Sequence, residues 1–201
     1  MRAAILTFPG SNCDRDIAAI LNEFYHFKTN LIWYRDTLPA CDLLVLPGGF
    51  SYGDYLRSGA IAGHTRALEE VRNHARAGRP VLGICNGFQI LCEAELLPGA
   101  LIRNRSLKHV ARSVNVKTGN WPYFREEQHL RIPVSHSDGN YYASKDTIRE
   151  LEDHRRIVLE YTEEVNGSSK QIAGIASSNH RVIGMMPHPE RHRRDRQVKR
   201  R

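Results

Sequence analysis

The segment Gly83-Ile84-Cys85-Asn86-Gly87 places a cysteine between two glycines at a predicted turn from a strand into a helix. An apolar run precedes it at residues 79–82, and a helical pattern follows it at residues 88–97. Glycines permit a tight, strained turn that lifts the central side chain clear of the backbone. The sulfur then lies at a helix N-terminus, which favours the thiolate. The pattern predicts covalent catalysis by Cys85, although an isolated cysteine between glycines is more often a small buried core residue.

A histidine and a glutamate near the C-terminus supply the partners that such a cysteine needs. His188 and Glu190 lie in the run Pro187-His188-Pro189-Glu190, after the apolar segment 182–186. Because proline disfavours helix, we expect extended chain here, in which residues i and i+2 point the same way. Glu190 would then orient the imidazole of His188, and the imidazole would serve as the base. The alternative is a proline-rich turn with a solvated histidine and glutamate.

Catalysis by a thiol also needs donors for the developing oxyanion. The N–H of Asn86, the residue after the nucleophile, is one predicted donor, and the backbone of Gly48-Gly49 is the other. Cys13 follows the first predicted strand and is a rival nucleophile, but it lacks flanking glycines, so we expect it to be a neighbour of the site. Cys41 and Cys92 are predicted to pack in the core.

Length and composition indicate one globular domain, residues 1–190, followed by a basic tail, residues 191–201. The chain has 201 residues, of which 41% are hydrophobic, enough for a full core. The net charge is +7, but the tail alone carries seven basic residues and one acidic residue. The body is therefore nearly neutral, which argues against a nucleic-acid partner. We expect the tail to be dispensable for chemistry.

Other classes of protein are disfavoured by what the sequence lacks. No run approaches 18 apolar residues, so we expect no membrane partner, and residues 1–10 do not have the pattern of a signal peptide. Four cysteines without framework spacing indicate reduced thiols and a cytoplasmic protein. There is no C-x-x-C pair and the histidines are scattered, so we expect no bound metal.

The elements that must position these residues alternate between strand and helix in the first half. Strands are predicted at residues 3–6, 31–34, 42–46 and 79–82, with helices at about 14–27, 59–75 and 88–97. Continuous apolar strands separated by helices predict an α/β fold with an open, mostly parallel sheet and helices on both faces. The glycine-rich turns at 10, 48–49 and 83–87 should then cluster at the carboxyl edge, where such sheets bind ligands.

The second half changes character. Short strands are predicted at residues 109–116, 130–134, 157–161, 172–176 and 182–186, with no long helix between them. These strands predict an antiparallel extension of the sheet. Residues 117–128 are predicted to form an exposed excursion.

The elbow and the late His-x-Glu, in that chain order, resemble the class I glutamine amidotransferases. More narrowly, the chain is similar to the family of glutaminase subunits of phosphoribosylformylglycinamidine synthase. The matching stretches span residues 9–191, and the most specific is Phe50-Ser51-Tyr52-Gly53-Asp54-Tyr55-Leu56-Arg57. Two departures stand out. A family His-Gly-Glu-Gly-Asn segment appears here as His136-Ser137-Asp138-Gly139-Asn140, and only the charged tail stands where the family has a terminal helix.

The resemblance implies hydrolysis of glutamine to glutamate and ammonia, with Cys85, His188 and Glu190 as the catalytic set. It implies that Gln89 and His136 contact the substrate, although Gln89 could equally be a solvated helix residue. It further implies an ATP- and Mg-using synthetase subunit and a small third subunit as partners, with no cofactor on this chain. The ammonia would convert formylglycinamide ribonucleotide to its amidine in purine biosynthesis.

Three alternatives stay open from the sequence. The chain could be the glutaminase of another synthase, a non-catalytic amidotransferase-like binding subunit, or a basic-tailed nucleic-acid binder. The intact set of Cys85, His188 and Glu190 disfavours the second, and the near-neutral body disfavours the third.

Overall fold

The computed structural model describes residues 1–192, so the predicted basic tail lies, from residue 193 onward, outside the described residues. Among residues 1–192, no helix is long and apolar enough to cross a lipid bilayer. The strands are β1 (Arg2–Thr7), β2 (Lys28–Trp33), β3 (Leu43–Leu46), β4 (Val81–Ile84), β5 (Ala100–Ile102), β6 (Val110–Thr118), β7 (His129–His136), β8 (Asn140–Tyr142), β9 (Ile157–Tyr161), β10 (Ile172–Ala176) and β11 (Val182–Met185). The α-helices are α1 (Asp14–Tyr25), α2 (Ala60–Gly63), α3 (Ala67–Arg76), α4 (Asn86–Glu93) and α5 (Lys145–Asp153).

A nine-stranded sheet runs in the order β2-β1-β3-β4-β11-β10-β9-β6-β7. The strands from β2 to β11 in this order are parallel. From β11 to β7 each strand is antiparallel to its neighbour. The sheet therefore has the predicted parallel part and the predicted antiparallel extension. Strands β5 and β8 pair with each other outside it.

Helices cover both faces of the parallel part, as predicted. Leu46 of β3 and Gly83 of β4 are register partners and share one face. A Cβ on Gly83 would lie 2.5 Å from Leu91, so α4 packs closely on this face. Leu82 points to the opposite face, where it lines the same cavity as Ile17 of α1.

The helices differ from the predictions in two details. The single helix expected over residues 59–75 is divided into α2 and α3. Between them the Thr65 hydroxyl donates to the carbonyl of Ala62 (2.8 Å), a side-chain bond that competes with helix continuation. Helix α5, of nine residues, lies among the strands of the second half, where only long helices were excluded and no short helix was predicted. The Ser144 hydroxyl caps this helix by accepting a hydrogen bond from the N–H of Thr147 (3.1 Å). Only two side chains of α5 are buried, so its sequence shows little of the apolar repeat that predicts a helix.

The predicted functional turns meet at one edge. Strands β1, β3, β4 and β11 are parallel, so the turns that follow them cluster at their carboxyl ends. Strand β7 points the same way, because two successive antiparallel steps separate β11 from β9 and β9 from β7. Strand β6 pairs with β9 only through Val116–Thr118, so residues 110–115 of β6 and their partners 131–136 of β7 project past this edge. The end of β7 therefore reaches the turns.

Candidate active site

Cys85 lies between β4 and α4 in a strained backbone conformation. Its φ is 51° and its ψ is −105°, a region that residues with a side chain rarely occupy. Its N–H donates to the carbonyl of Met185 (2.7 Å), which fixes the turn on β11. A Cβ on Gly87 would clash with the main-chain oxygen of Leu46, so glycine is needed there. The molecule thus has the strained strand-to-helix turn that the sequence indicates.

The thiol of Cys85 is buried, with only 4% of the residue exposed. Its sulfur lies 3.6 Å from the carbonyl oxygen of Ser135, in the projecting end of β7. Cys85 is therefore enclosed by the elbow on one side and by the β6–β7 hairpin on the other. Burial alone fits a core cysteine as well as a nucleophile. The role of Cys85 therefore follows from the groups around its sulfur.

His188 and Glu190 form a buried pair. The Nδ1 atom of His188 is 2.6 Å from Oε1 of Glu190, and both side chains are 3% exposed. The backbone differs from the prediction of extended chain, because Pro189–Arg191 forms a 3₁₀ turn. The φ of proline suits the first position of such a turn. His188 lies just before the turn, with φ −103° and ψ 84°, and its ring still reaches the carboxylate of Glu190 inside the turn.

His188 experiences opposing influences on its pKa. Burial lowers the pKa, but the neighbouring thiols of Cys13 and Cys85 and the carboxylate of Glu190 outweigh it, so the net shift is upward. The Nε2 atom of His188 is buried and has no hydrogen-bond partner within the described chain. Because Glu190 occupies Nδ1, Nε2 is the nitrogen left for proton transfer.

Cys13 also contacts this pair, as a neighbour of the site. Its sulfur lies 3.9 Å from Nδ1 of His188, accepts a hydrogen bond from Arg191 (3.0 Å) and donates to the Asn12 side-chain oxygen (3.0 Å). The thiol of Cys13 therefore faces the nitrogen that Glu190 already holds. Arg191 was not singled out in the sequence, although its position next to Glu190 could have drawn attention to it.

Ligand atoms of Cys13, His188 and Glu190 lie within 4.8 Å of one another, a set of donor types that could hold a metal ion. The 2.6 Å hydrogen bond to Glu190 already uses Nδ1 of His188. The positively charged guanidinium of Arg191 lies against the sulfur of Cys13. Both features oppose a bound cation. That the chain binds no metal stays a prediction.

Asn86 and Gln89 belong to one buried hydrogen-bond chain. Asn86 accepts from the N–H of Ser51 (3.2 Å) and donates to Oε1 of Gln89 (2.9 Å), and Gln89 donates to the carbonyl of Asp138 (2.7 Å). Gln89 is 4% exposed, so it is not a solvated helix residue. The chain ties the loop after β3, the elbow and the loop after β7 together. The N–H of Asn86 lies in the first turn of α4, where backbone donors have no partner within the helix.

Gly48 and Gly49 lie close to the catalytic candidates. A Cβ on Gly48 would be 2.7 Å from Cε1 of His188 and 3.0 Å from the sulfur of Cys13. The carbonyl of Gly48 accepts from the N–H of Cys13 (3.2 Å), and Gly49 bridges to Ser11. The two turns are thus held together at the sheet edge. That Gly48 and Gly49 donate to an oxyanion stays a prediction.

His136 ends β7 and is buried beside these groups. Its Nδ1 is 3.1 Å from Oδ1 of Asn104, and its Nε2 is buried without a partner among the described residues. Burial, with the nearby His109 and His188, lowers the pKa of His136 to about 4. The ring is therefore neutral at physiological pH.

Asp138, which stands where the family has glutamate, still makes contacts. Its Oδ2 accepts from the Ser58 hydroxyl (2.7 Å), and its Oδ1 lies 3.6 Å from Nε of Arg103. Asp138 also contributes to raising the pKa of Asp54 to about 6, for which burial is the main cause. Neither Asp54 nor Ser58 was singled out individually in the sequence, although both lie in or next to the motif with the highest specificity.

The remaining two cysteines pack away from the site. Cys92 is 7% exposed in α4, and burial raises the pKa of its thiol. Cys41 is 5% exposed and lies 3.9 Å from Nδ1 of His74. All four cysteines are free, and the core positions of Cys41 and Cys92 are confirmed.

Comparison with known proteins places this site in a family. Residues 1–200 match the family described as CobB/CobQ-like glutamine amidotransferase domain. The chain is 50% identical over 198 residues to phosphoribosylformylglycinamidine synthase subunit PurQ of Leptospira interrogans serogroup Icterohaemorrhagiae serovar copenhageni (strain Fiocruz L1-130), covering 95% of this chain and 90% of that protein. The same subunit of Zymomonas mobilis subsp. mobilis (strain ATCC 31821 / ZM4 / CP4) gives the same identity and coverage.

A solved structure agrees. A chain in the structure of PurLQS from Thermotoga maritima is 40% identical and superposes with a TM-score of 0.85, covering 94% of this chain and 88% of that chain. The strained cysteine, the buried histidine–glutamate pair and these relatives lead to one conclusion. The chain belongs to the CobB/CobQ-like glutamine amidotransferase family and, within it, to the PurQ subunits of phosphoribosylformylglycinamidine synthase.

Proposed function

We propose that this chain is the glutaminase subunit of phosphoribosylformylglycinamidine synthase. It hydrolyses glutamine to glutamate and ammonia. The ammonia then serves the ATP-dependent conversion of formylglycinamide ribonucleotide to formylglycinamidine ribonucleotide in purine biosynthesis. One observation carries the proposal. His188 and Glu190 form a buried hydrogen-bonded pair, and this pair lies beside the thiol of the strained Cys85.

The thiol of Cys85 gives its proton to His188, and the resulting thiolate attacks the side-chain amide carbon of glutamine and forms a γ-glutamyl thioester. Protonated His188 donates its proton to the leaving nitrogen, and ammonia departs. The raised pKa of His188 suits it to this first, acidic role. Neutral His188 next removes a proton from water, which attacks the thioester and releases glutamate. Glu190 holds Nδ1 throughout and leaves Nε2 for both transfers.

The backbone supplies the oxyanion donors. We assign the N–H of Asn86 and the backbone of Gly48 and Gly49 to this role. Each such donor is typically worth about 3 kcal/mol of barrier. Gln89 and His136 are assigned to substrate binding, since both are buried at the same edge of the sheet.

Cys13 is the second candidate for the nucleophile, because it too lies within 4 Å of the imidazole. Three contacts favour Cys85 instead. The thiol of Cys13 faces Nδ1, which Glu190 already occupies, and it is held by Arg191 and Asn12. Cys85 alone of the two has the strained elbow backbone.

The chain is expected to work in the cytoplasm as part of a larger assembly. Free ammonia is mostly protonated at neutral pH and is then a poor nucleophile, so the glutaminase must deliver it to a docked acceptor enzyme. We assign that role to the synthetase subunit, which would use ATP and Mg, with a small third subunit assisting assembly. The Thermotoga maritima relative, described as PurLQS, supports this composition. We propose that this chain itself holds no cofactor.

Substitution of Cys85 tests the function in the assembled synthase. Cys85→Ala should abolish glutamine-dependent amidine formation and leave ammonia-dependent formation intact. Cys13→Ala is the matched control, since it removes the neighbouring thiol and should retain glutamine-dependent turnover. A glutamine-mimicking electrophile should label Cys85, as mapped by peptide mass spectrometry.

Two results would decide against this assignment. If Cys85→Ala turns over glutamine at the wild-type rate and Cys13→Ala does not, Cys13 is the nucleophile. If the wild-type assembly forms amidine with ammonia but never with glutamine, the chain is a non-catalytic subunit.

A further inference from the structure

Asn104 is fully buried and joins three parts of the chain next to the active site. Its Oδ1 accepts from the N–H of Gly139 (3.0 Å). Its Nδ2 donates to the carbonyls of Lys108 and His136, both at 2.9 Å. Main-chain groups therefore fix which end of the Asn104 amide is oxygen, because a backbone N–H can only donate and a carbonyl can only accept.

This orientation determines the tautomer of His136. The Oδ1 atom of Asn104 lies 3.1 Å from Nδ1 of His136, and an oxygen without a proton can only accept. Nδ1 must therefore carry the proton. In the neutral ring Nε2 then has no proton and presents a lone pair.

That lone pair is buried and has no partner within residues 1–192. A buried acceptor without a donor is costly, so an N–H or O–H group from outside the chain is expected to satisfy it. The adjacent Ser135 carbonyl is 3.6 Å from the sulfur of Cys85, so His136 belongs to the strand end that contacts the nucleophile. The low pKa of His136 keeps Nε2 available as an acceptor.

We propose that Nε2 of His136 accepts a hydrogen bond from an N–H group of bound glutamine, and that Asn104 is the positioning residue that holds the ring in the tautomer required. This inference rests on the proposed glutaminase function. Glutamine carries N–H groups on its carboxamide and on its α-ammonium, and either can donate to Nε2. If the carboxamide donates, the contact also discriminates against glutamate, whose carboxylate has no N–H and would face the lone pair.

The tautomer can be measured in the wild-type chain without any substitution that threatens folding. Two-bond proton–nitrogen correlation spectra of chain labelled with ¹⁵N-histidine distinguish a protonated from an unprotonated ring nitrogen. The His136 signals are identified by their loss in His136→Gln. We expect a protonated Nδ1 and an unprotonated Nε2 at neutral pH. A protonated Nε2 would overturn the inference. In Asn104→Ala we expect a mixture of the two tautomers.

Kinetics of the assembled synthase test the contact with glutamine. Glutamine at position 136 can place an amide oxygen near the position of Nε2, whereas asparagine reaches only as far as Nδ1. His136→Asn should therefore lower kcat/KM for glutamine about 10-fold, and His136→Gln should restore most of this loss. Equal, wild-type values in both variants would overturn the inference.

Two glutamine analogues identify the donor. One lacks the α-amino group, and the other is a γ-ester without a carboxamide N–H. Whichever group binds His136, the analogue lacking it should no longer distinguish His136→Asn from wild type. If both analogues still show the 10-fold loss, the residue acts only on the structure and the inference is wrong. Inactive wild-type assembly would count against the glutaminase function itself, whereas active wild type with insensitive His136 variants would count against this inference alone.

Discussion

At the level of single residues, the site contains two buried histidines whose environments act in opposite directions. His188 hydrogen-bonds to the carboxylate of Glu190, and its pKa is raised. His136 hydrogen-bonds to the neutral amide of Asn104, and its pKa is lowered to about 4. The neighbouring thiols and the carboxylate raise the pKa of His188 and suit it to proton transfer, whereas burial keeps the ring of His136 neutral.

The catalytic pair should be unequal when each member is removed. His188→Ala should lower kcat for glutamine about 100-fold more than Glu190→Gln, because the imidazole transfers protons whereas the carboxylate only orients it. Steady-state assays of the assembled synthase measure the two values, with ammonia-dependent activity as the internal control. Small and equal losses in both variants would show that this segment is structural.

His136 should make folding stability depend on pH. Its pKa is about 4 when folded, against 6.5 in a model peptide, so the unfolded chain binds the proton more readily between these values. The stability of the wild type should therefore fall as pH decreases through 6.5 toward 4. Between pH 7 and pH 5 the loss from this group should be about 2 kcal/mol.

Urea denaturation of wild type and His136→Gln at pH 7 and pH 5 measures this effect. The difference between the two proteins isolates residue 136 from His188, whose raised pKa contributes in the opposite sense. A wild-type loss no larger than that of the variant would show that His136 titrates normally.

At the level of elements, the elbow depends on how closely α4 approaches the sheet. Leu91 of α4 would be 2.5 Å from a Cβ on Gly83, and Leu46 of β3 leaves no room for one on Gly87. Small residues in the strand and in the helix let the helix pack tightly on the strands. The close contact between α4 and the strands positions the backbone N–H of Asn86. The position of this donor relative to Cys85 therefore depends on how tightly Gly83 and Gly87 let α4 pack.

Gly87→Ala tests this dependence. The added methyl group must displace α4 from β3, which should cost about 1–3 kcal/mol of stability and lower glutamine-dependent activity at least about 100-fold. Gly78→Ala is the control, since its Cβ would meet nothing within 4 Å although its φ is +71°. That variant should lose about 1 kcal/mol and keep its activity. Full activity in Gly87→Ala would contradict the role given to the close approach.

At the level of the whole molecule, exposed apolar side chains lie together in one loop beside the site. Phe50, Tyr55 and Leu56 are 44%, 74% and 93% exposed in the loop after β3. The same loop is bonded to the elbow through the N–H of Ser51 and Asn86. Exposed aromatic and aliphatic groups of this kind are typical of protein interfaces. We expect the synthetase subunit to dock here.

Leu56→Asp should weaken binding of the synthetase at least about 10-fold and leave the melting temperature of the isolated chain unchanged. Leu56 has a φ of +69°, which aspartate tolerates better than leucine, so folding should not suffer. Tyr123→Asp is the control, as Tyr123 is 57% exposed in the loop after β6, at the opposite edge of the sheet. Isothermal titration calorimetry measures the affinity of each variant for the synthetase subunit. Equal binding by the two variants would place the interface elsewhere.

The sequence by itself determined the sheet class, the elbow and the candidate residues. Apolar runs between helical patterns specified parallel strands, because buried parallel strands need no polar alternation. The Gly83 and Gly87 pair specified the turn at Cys85, because glycine spacing reports local backbone freedom. Short segments with few buried apolar residues gave only a weak helical pattern. Helix α5 and the break between α2 and α3 were therefore not predicted.

Only the tertiary structure decided which groups meet. Cys13 and His188 are separated by 175 residues, and Asn104 and His136 by 32. No local pattern encodes such contacts, because they follow from the strand order and from how far the β6–β7 hairpin projects past the sheet edge. The fold therefore decided the surroundings of each ring: His188 lies beside Glu190 and two thiols, whereas His136 is buried against the neutral amide of Asn104.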